Sequence, residues 1–184
     1  MTGMARRTAC YSLAEILVAL GLLGLIMAAT VLLLQSGLAA WGWGASRVEA
    51  QQSARAALER MARELREAGF DPTGAGFEIV LVAEPARIVF QRDLNGNGVI
   101  DPTRERVSYL LRSGETTLRR DAGGGAQPLA EGVRRFALSY LDREGLPTTE
   151  RSQIVSVRME LEVGRAGPEA TVGTVVTLRN VPVW

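Results

Sequence analysis

One loop concentrates oxygen-bearing side chains at alternate positions, which is the arrangement that a hard cation such as calcium requires of its ligands. The loop reads Asp-Leu-Asn-Gly-Asn-Gly-Val-Ile-Asp from Asp93 to Asp101. Gly98 permits the sharp turn that such a loop makes. The predicted calcium ligands are the side chains of Asp93, Asn95, Asn97, Asp101 and Glu105 and the backbone carbonyl of Val99.

The same loop has a simpler interpretation as a hairpin turn without an ion. Asn-Gly pairs are strong turn formers. Arg104 occupies the position at which a calcium loop of this kind carries a bidentate Glu, and Glu105, one residue further on, would substitute only in a wider loop. The sequence therefore leaves a calcium site and a bare turn as alternatives.

The composition excludes several kinds of catalytic site. The 184 residues include no His and one Cys, Cys10. Catalytic sites of the Ser-His-Asp and Cys-His kinds, His-ligated zinc and an internal disulfide are therefore excluded within this chain. We expect no enzymatic activity, because no carboxylate pair has the spacing of a known catalytic site. A formal net charge of +1 gives no basic excess that would indicate direct nucleic-acid binding.

The longest predicted element begins at a single carboxylate, Glu15, which leads into the apolar run from Ile16 to Leu34. As a helix this run is roughly 28 Å long, which is close to the thickness of a bilayer core. No charged residue occurs between Glu15 and Arg47. A transmembrane helix is thus predicted, and the alternative is a helix buried in a large soluble core.

Charges before the apolar run predict its orientation. Arg6 and Arg7 precede it, and residues 1–10 contain no acidic residue. The positive-inside rule then places the N-terminus in the cytoplasm. We expect a single-pass membrane protein whose remaining residues are exported. A cleaved secretory signal would have a shorter apolar region, and a lipoprotein signal would have it before Cys10 instead of after it.

A second helical pattern follows the membrane segment. Ala54, Leu58, Met61, Leu65 and Ala68 recur every three or four residues from about Ala45 to Ala68 and predict one buried stripe. Charged residues at i, i+4 spacing (Glu59 with Arg63, Arg60 with Glu64, Arg63 with Glu67) predict ion pairs on the solvent side. Gly69 and Asp71-Pro72 predict the end of the helix.

Short β-branched and aromatic runs separated by Gly, Pro and Asp follow, and they predict strands. An antiparallel sheet packed on the second helical half gives an α+β fold with a long N-terminal helix and a β-rich head. The predicted strands are Glu78 to Val82, Ala86 to Arg92, Arg106 to Arg112, Thr116 to Asp121, Arg134 to Asp142, Gln153 to Val163 and Thr171 to Val181.

The N-terminus resembles the class III signal of type IV pilins and type II secretion pseudopilins. The matching residues are Cys10, Tyr11, Ser12, Leu13, Ala14 and Glu15, followed by the apolar helix. Cys10 stands where that family usually has Gly, and Tyr11 where it usually has Phe. The stretch from Leu58 to Phe70 also resembles the end of the long helix in W-type minor pilins and J-type pseudopilins, whose heads contain similar Asp- and Asn-rich turns.

The resemblance implies a processing step and an assembly residue. A prepilin peptidase would cut between Cys10 and Tyr11 and methylate the new amine, and Glu15 would then serve in assembly with other pilin-like subunits. The implied organisation is a leader (1–10), a transmembrane and assembly half of the helix (11–44), a head-packed half (45–70) and a β-rich head (71–184).

Two functions of different classes follow from these patterns. The first is a minor pilin or minor pseudopilin subunit, at or near the tip of a filament that serves pilus biogenesis, DNA uptake or protein secretion. The second is a membrane-anchored periplasmic binding module or carboxylate enzyme with a calcium-stabilised head. Glu15 favours the first function, because an ordinary signal anchor has no evident need for a carboxylate there.

Overall fold

The computed structural model describes residues 12–164 and 169–181. Its long helix, α1, spans Leu13–Arg66, and antiparallel strands follow it. The predicted α+β class is therefore confirmed. The boundary between the two compact units of the chain falls between Gly44 and Ala45. The helix continues through Gly42 and Gly44, although each glycine weakens a helix by about 1 kcal/mol relative to Ala.

The first unit consists, where it is described, of the apolar part of α1. Every residue from 12 to 44 is exposed. By length and composition, α1 is a candidate membrane span, and none of its most apolar stretch is buried. The side-chain hydroxyl of Thr30 donates to the Ile26 carbonyl at 2.8 Å, and that of Ser36 donates to the Leu33 carbonyl at 2.9 Å. Both hydroxyls are thereby satisfied inside the helix, as an apolar environment requires.

The second unit contains two antiparallel sheets. Five strands pair in sequence order in the first sheet, and three pair in sequence order in the second. A short 3-10 helix, Arg151–Gln153, precedes the central strand of the second sheet. The strands of the first sheet are β1 (Val80–Glu84), β2 (Arg87–Gln91), β3 (Arg106–Leu110), β4 (Thr117–Asp121) and β5 (Gln127–Glu131), and those of the second are β6 (Val133–Leu141), β7 (Ser156–Val163) and β8 (Ala170–Thr177).

The core of this unit lies between the second half of α1 and the strands. The predicted helical stripe is confirmed, since all five of its residues are at most 3% exposed. They share a cluster with Phe90, Tyr109, Met159 and Leu161. Only alternate residues of β7 join this core (Val157, Met159, Leu161 and Val163), which is the period of a strand with one buried face.

Two parts of the strand prediction differ from the structure. The sequence predicts no strand between Asp121 and Arg134, whereas β5 lies there and pairs with β4. Pro128 argues against a strand in the sequence, because proline is confined to edge or irregular strand positions. The sixth predicted strand corresponds to β7 and begins at Ser156 instead of Gln153, because residues 151–153 form the 3-10 helix.

Candidate functional site

A reciprocal pair of hydrogen bonds begins α1. The Ser12 backbone N–H donates to Glu15 Oε2 at 2.9 Å, and the Glu15 N–H donates to Ser12 Oγ at 3.2 Å. This is a capping box, in which two side chains accept hydrogen bonds from N–H groups that lack a backbone acceptor at the start of the helix. Cys10 and Tyr11, the predicted cleavage residues, lie outside the described residues.

The capping box gives Glu15 a local role that the sequence analysis did not consider. A carboxylate at this position satisfies a backbone donor at the start of any helix, so Glu15 alone does not separate an assembly helix from an ordinary anchor. The signal was readable, because Ser12-Leu13-Ala14-Glu15 has the spacing of a capping box. Within the described residues, Glu15 Oε1 accepts no hydrogen bond.

The predicted calcium loop is organised around the carboxylate of Asp93, which is fully buried. Asp93 Oδ1 accepts the Gly96 N–H at 2.7 Å, and Oδ2 accepts the Gly98 N–H at 2.8 Å. Both glycines have positive φ, 70° and 74°, which an L residue rarely adopts. Asp93 therefore closes the turn by collecting backbone donors.

A second buried carboxylate, that of Glu105, closes the other side of the loop. Its Oε1 accepts the N–H groups of Leu94 at 2.9 Å and Asn95 at 3.1 Å, and its Oε2 accepts the Asp101 N–H at 2.8 Å. Only 1% of the Glu105 surface is exposed. Glu105 thus joins the loop as predicted, but its contacts are with backbone amides.

The remaining predicted ligands form local turns. Asn95 Oδ1 accepts the Asn97 N–H at 2.9 Å, and Asn97 Oδ1 accepts the Val99 N–H at 2.8 Å. Asp101 Oδ1 accepts both the N–H and the hydroxyl of Thr103, and these hydrogen bonds lower the pKa of Asp101. The Val99 side chain is exposed. Each side chain therefore stabilises the turn two residues after it.

The ligand types in this loop suit calcium, and hydrogen bonds from backbone amides also organise the loop without an ion. Among the described residues, no three acidic, His or Cys side chains lie close enough together to hold a metal ion. Much of the accepting capacity of Asp93 and Glu105 is directed at N–H groups. The geometry fits a self-sufficient turn, and calcium binding stays a prediction.

Glu64, which the helical pattern places on the solvent side, belongs to a polar cluster between α1 and the first sheet. Glu64 accepts hydrogen bonds from the Tyr109 hydroxyl at 2.7 Å and from Arg120 Nε at 2.9 Å. Its predicted i, i+4 ion pair with Arg60 is also formed, at 3.3 Å. Burial raises the pKa of Glu64, but the hydrogen bonds from Arg120 and Tyr109 outweigh it and hold that pKa below its ordinary value.

The other two predicted helix ion pairs are absent among the described residues. Glu67 pairs instead with Arg92, which lies just after β2, and Arg63 has no ion-pair partner there. The sequence predicts neighbours along the helix, but not which of them a strand will recruit. The Glu64 and Glu67 contacts fix α1 against the first sheet.

Comparisons of the chain with known protein-family models and with curated proteins find no match. A long N-terminal apolar helix followed by antiparallel sheets is compatible with a pilin-like fold. The features that bear on function are therefore the exposed apolar helix, the carboxylate at its start and the surface of the head.

Proposed function

We propose that this chain is a minor pilin or minor pseudopilin subunit, which enters a pilus-like filament through residues 13–44, at or near its tip. It resides first in the inner membrane with its head in the periplasm, performs no catalytic step, and serves pilus biogenesis, DNA uptake or secretion. The observation that carries the proposal is an apolar helix that is exposed throughout residues 13–44 and is followed by antiparallel sheets, an order compatible with a pilin-like fold.

The apolar surface needs two successive kinds of cover. In the membrane, lipid surrounds residues 13–44, and their satisfied hydroxyls suit that environment. Once the helix leaves the membrane, only helices of neighbouring subunits can keep this surface from water. A side chain added at Gly21 or Gly24 would contact nothing within 4 Å, so the chain's own packing does not require these glycines. Close approach of a neighbouring helix would explain them.

Glu15 would serve both the capping box and an ion pair. Its Oε2 accepts the Ser12 N–H, and in the described part of the chain Oε1 accepts no hydrogen bond, so Oε1 would face the cation. An uncompensated carboxylate among apolar helices is costly, so it would pair with an N-terminal amine. After a prepilin peptidase cuts between Cys10 and Tyr11, that amine would belong to Tyr11 of the same subunit or of a neighbour. Such a pair would fix the axial position of the subunit.

Four variants separate the charge of Glu15 from its capping role. Glu15→Gln keeps an oxygen that can cap the helix but removes the charge, and Glu15→Val removes both. Ser12→Ala removes one capping hydrogen bond, at a cost of about 1 kcal/mol, and keeps the charge. Glu15→Asp keeps the charge on a shorter side chain. We expect the Gln and Val variants to insert into the membrane but to assemble poorly, Ser12→Ala to assemble nearly normally, and Glu15→Asp to keep part of the function.

Quantification of sheared filaments in cells that carry the cognate machinery provides the measurement. Normal incorporation of Glu15→Gln would refute the ion pair and reduce Glu15 to a helix cap. Intact-mass spectrometry of the membrane-extracted parent protein checks processing independently. A species that retains residues 1–10 in peptidase-competent cells would contradict cleavage after Cys10 and favour the anchored binding module.

A further inference from the structure

Three of the four sheet edges in the head carry features that prevent pairing with another chain. β1 and β5 are five residues long and have irregular pairing, and β5 also contains Pro128. β6 has an irregular start with Arg134 and Arg135, and its Leu138 N–H donates to the Pro85 carbonyl at 2.8 Å. Short length, bulges, charge, proline and covering loops are the usual protections of a sheet edge.

The fourth edge, β8, has none of these features. Its sequence is Ala-Thr-Val-Gly-Thr-Val-Val-Thr, and all eight residues pair with β7 in unbroken register. In the described parts of the chain, no hydrogen bond joins β8 to any element other than β7. A long, regular and uncharged strand with one free edge is suited to accept a further strand.

A groove runs along this free edge, between β8 and α1. It has a volume of about 520 Å³, and Val172, Gly173 and Thr174 form its β8 side. Leu58 and Ala62, both buried core residues, contribute its apolar floor. The volume lies within the range of pockets that bind ligands, and one set of alternate side chains of an added strand would face α1.

The helix side of the groove carries a positive rim. Arg55, Arg63 and Arg66 are exposed on α1, and none has an ion-pair partner among the residues described. Among the described residues that line the groove, Glu59 is the one carboxylate. The free edge of β8 beside three guanidinium groups therefore favours binding of an extended chain with negative side chains.

We propose that this groove binds an extended acidic segment of a partner protein, which adds as a fourth strand along β8. The segment's backbone would hydrogen-bond to β8, and every second side chain, a carboxylate, would face Arg55, Arg63 and Arg66. Binding occurs at the head whether or not residues 13–44 enter a filament. Its failure would therefore leave the proposed filament function untouched.

Peptide binding to the full chain in detergent tests this site. The probe is a labelled hexapeptide that alternates Val and Glu, compared with a version that carries Gln for Glu and a version whose backbone nitrogens are methylated at alternate positions. We expect the unmodified peptide to bind, and both modified peptides to bind at least about tenfold more weakly. Hydrogen exchange at the amides of β8 should slow when the unmodified peptide is present.

Charge reversal on the protein supplies the matched controls. The double variant Arg63→Glu with Arg66→Glu should lose about tenfold or more in affinity, whereas Arg158→Glu, on the outer face of the same sheet, should change it by less than about twofold. Absence of peptide binding, equal binding of the methylated peptide, or equal effects of the two charge reversals would overturn the proposal. Equal or tighter binding of a single-stranded oligonucleotide or of glycerol 3-phosphate would also overturn it, because the rim would then be a general anion site.

Discussion

The two halves of the continuous helix α1 differ in how far the rest of the chain buries their apolar side chains. Residues 13–44 are apolar on all sides and exposed, whereas residues 45–66 bury a single stripe and expose charge elsewhere. The second half finds its cover within its own chain, in strands that the same sequence supplies. The first half has no such cover among the described residues. Helical periodicity therefore identifies the part of α1 that the rest of the chain covers.

The largest expected effect compares one leucine from each half. Leu65→Ala should lower the free energy of unfolding of the head by about 2–5 kcal/mol, because it leaves a cavity in the core. Leu25→Ala, at an exposed position of the first half, should change that free energy by less than about 0.5 kcal/mol. Hydrogen exchange of the buried β2 and β3 amides in the full chain reports both values. Comparable losses would show that the halves do not differ in this way.

Calcium binding would stabilise the head, which contains the strands that cover residues 45–66 of α1. If the loop binds calcium only when folded, the head gains about 2.7 kcal/mol at a hundredfold excess over the dissociation constant. Asp101→Asn is the informative variant, because it can still accept the Thr103 N–H while losing charge. Asp93→Ala would strand the Gly96 and Gly98 donors with or without the ion.

Thermal unfolding in chelator and in excess calcium distinguishes the outcomes. We expect the parent to melt at a higher temperature in calcium, and Asp101→Asn to respond less while matching the parent in chelator. Identical melts of the parent in both buffers would establish the bare turn.

The smallest expected effect concerns the acid sensitivity of the head. The folded pKa of Glu64 lies below its ordinary value of 4.5, so its stabilising effect is fully present above that pH and is lost as the pH falls through the folded value. Near neutral pH, Glu64→Gln should cost about 1.5–3 kcal/mol, the range for hydrogen bonds to charged groups.

The pH dependence itself discriminates between causes. Stability of the parent should fall more steeply below pH 4.5 than that of Glu64→Gln. Glu59→Gln, which changes an exposed carboxylate of the same helix, should follow the parent. Parallel curves for the parent and Glu64→Gln would mean that another group governs acid unfolding.

Local rules explain how much of this structure the sequence could predict. The stripe from Ala54 to Ala68 and most strands follow from periodicity, so they were found without tertiary information. The capping box is equally local, because Ser12 and Glu15 have the required spacing in the sequence. The loop ligands were grouped correctly in sequence, but hydrogen bonding to backbone amides depends on side-chain direction, which spacing does not encode.

The features that the sequence does not predict depend on contacts between distant parts of the chain. Glu64 satisfies the same i, i+4 rule as Glu59, and only the approach of Tyr109 and Arg120 makes it part of the interior. β5 contradicts strand propensity at Pro128 and is held by pairing with β4. The unprotected edge of β8 became evident only once the strand order was known.

One hydrogen bond joins residues that are synthesised at very different times. Asn180 Nδ2 donates at 3.1 Å to the carbonyl of Ala68, a residue 112 positions earlier, just beyond the end of α1. The same corner is tight, because a Cβ at Gly69 would lie 3.0 Å from the Asn180 carbonyl oxygen. Ribosomes add about 5–20 residues per second, so Ala68 exists for on the order of ten seconds before its partner is synthesised. The corner that follows α1 is therefore completed only after almost the whole head has been synthesised.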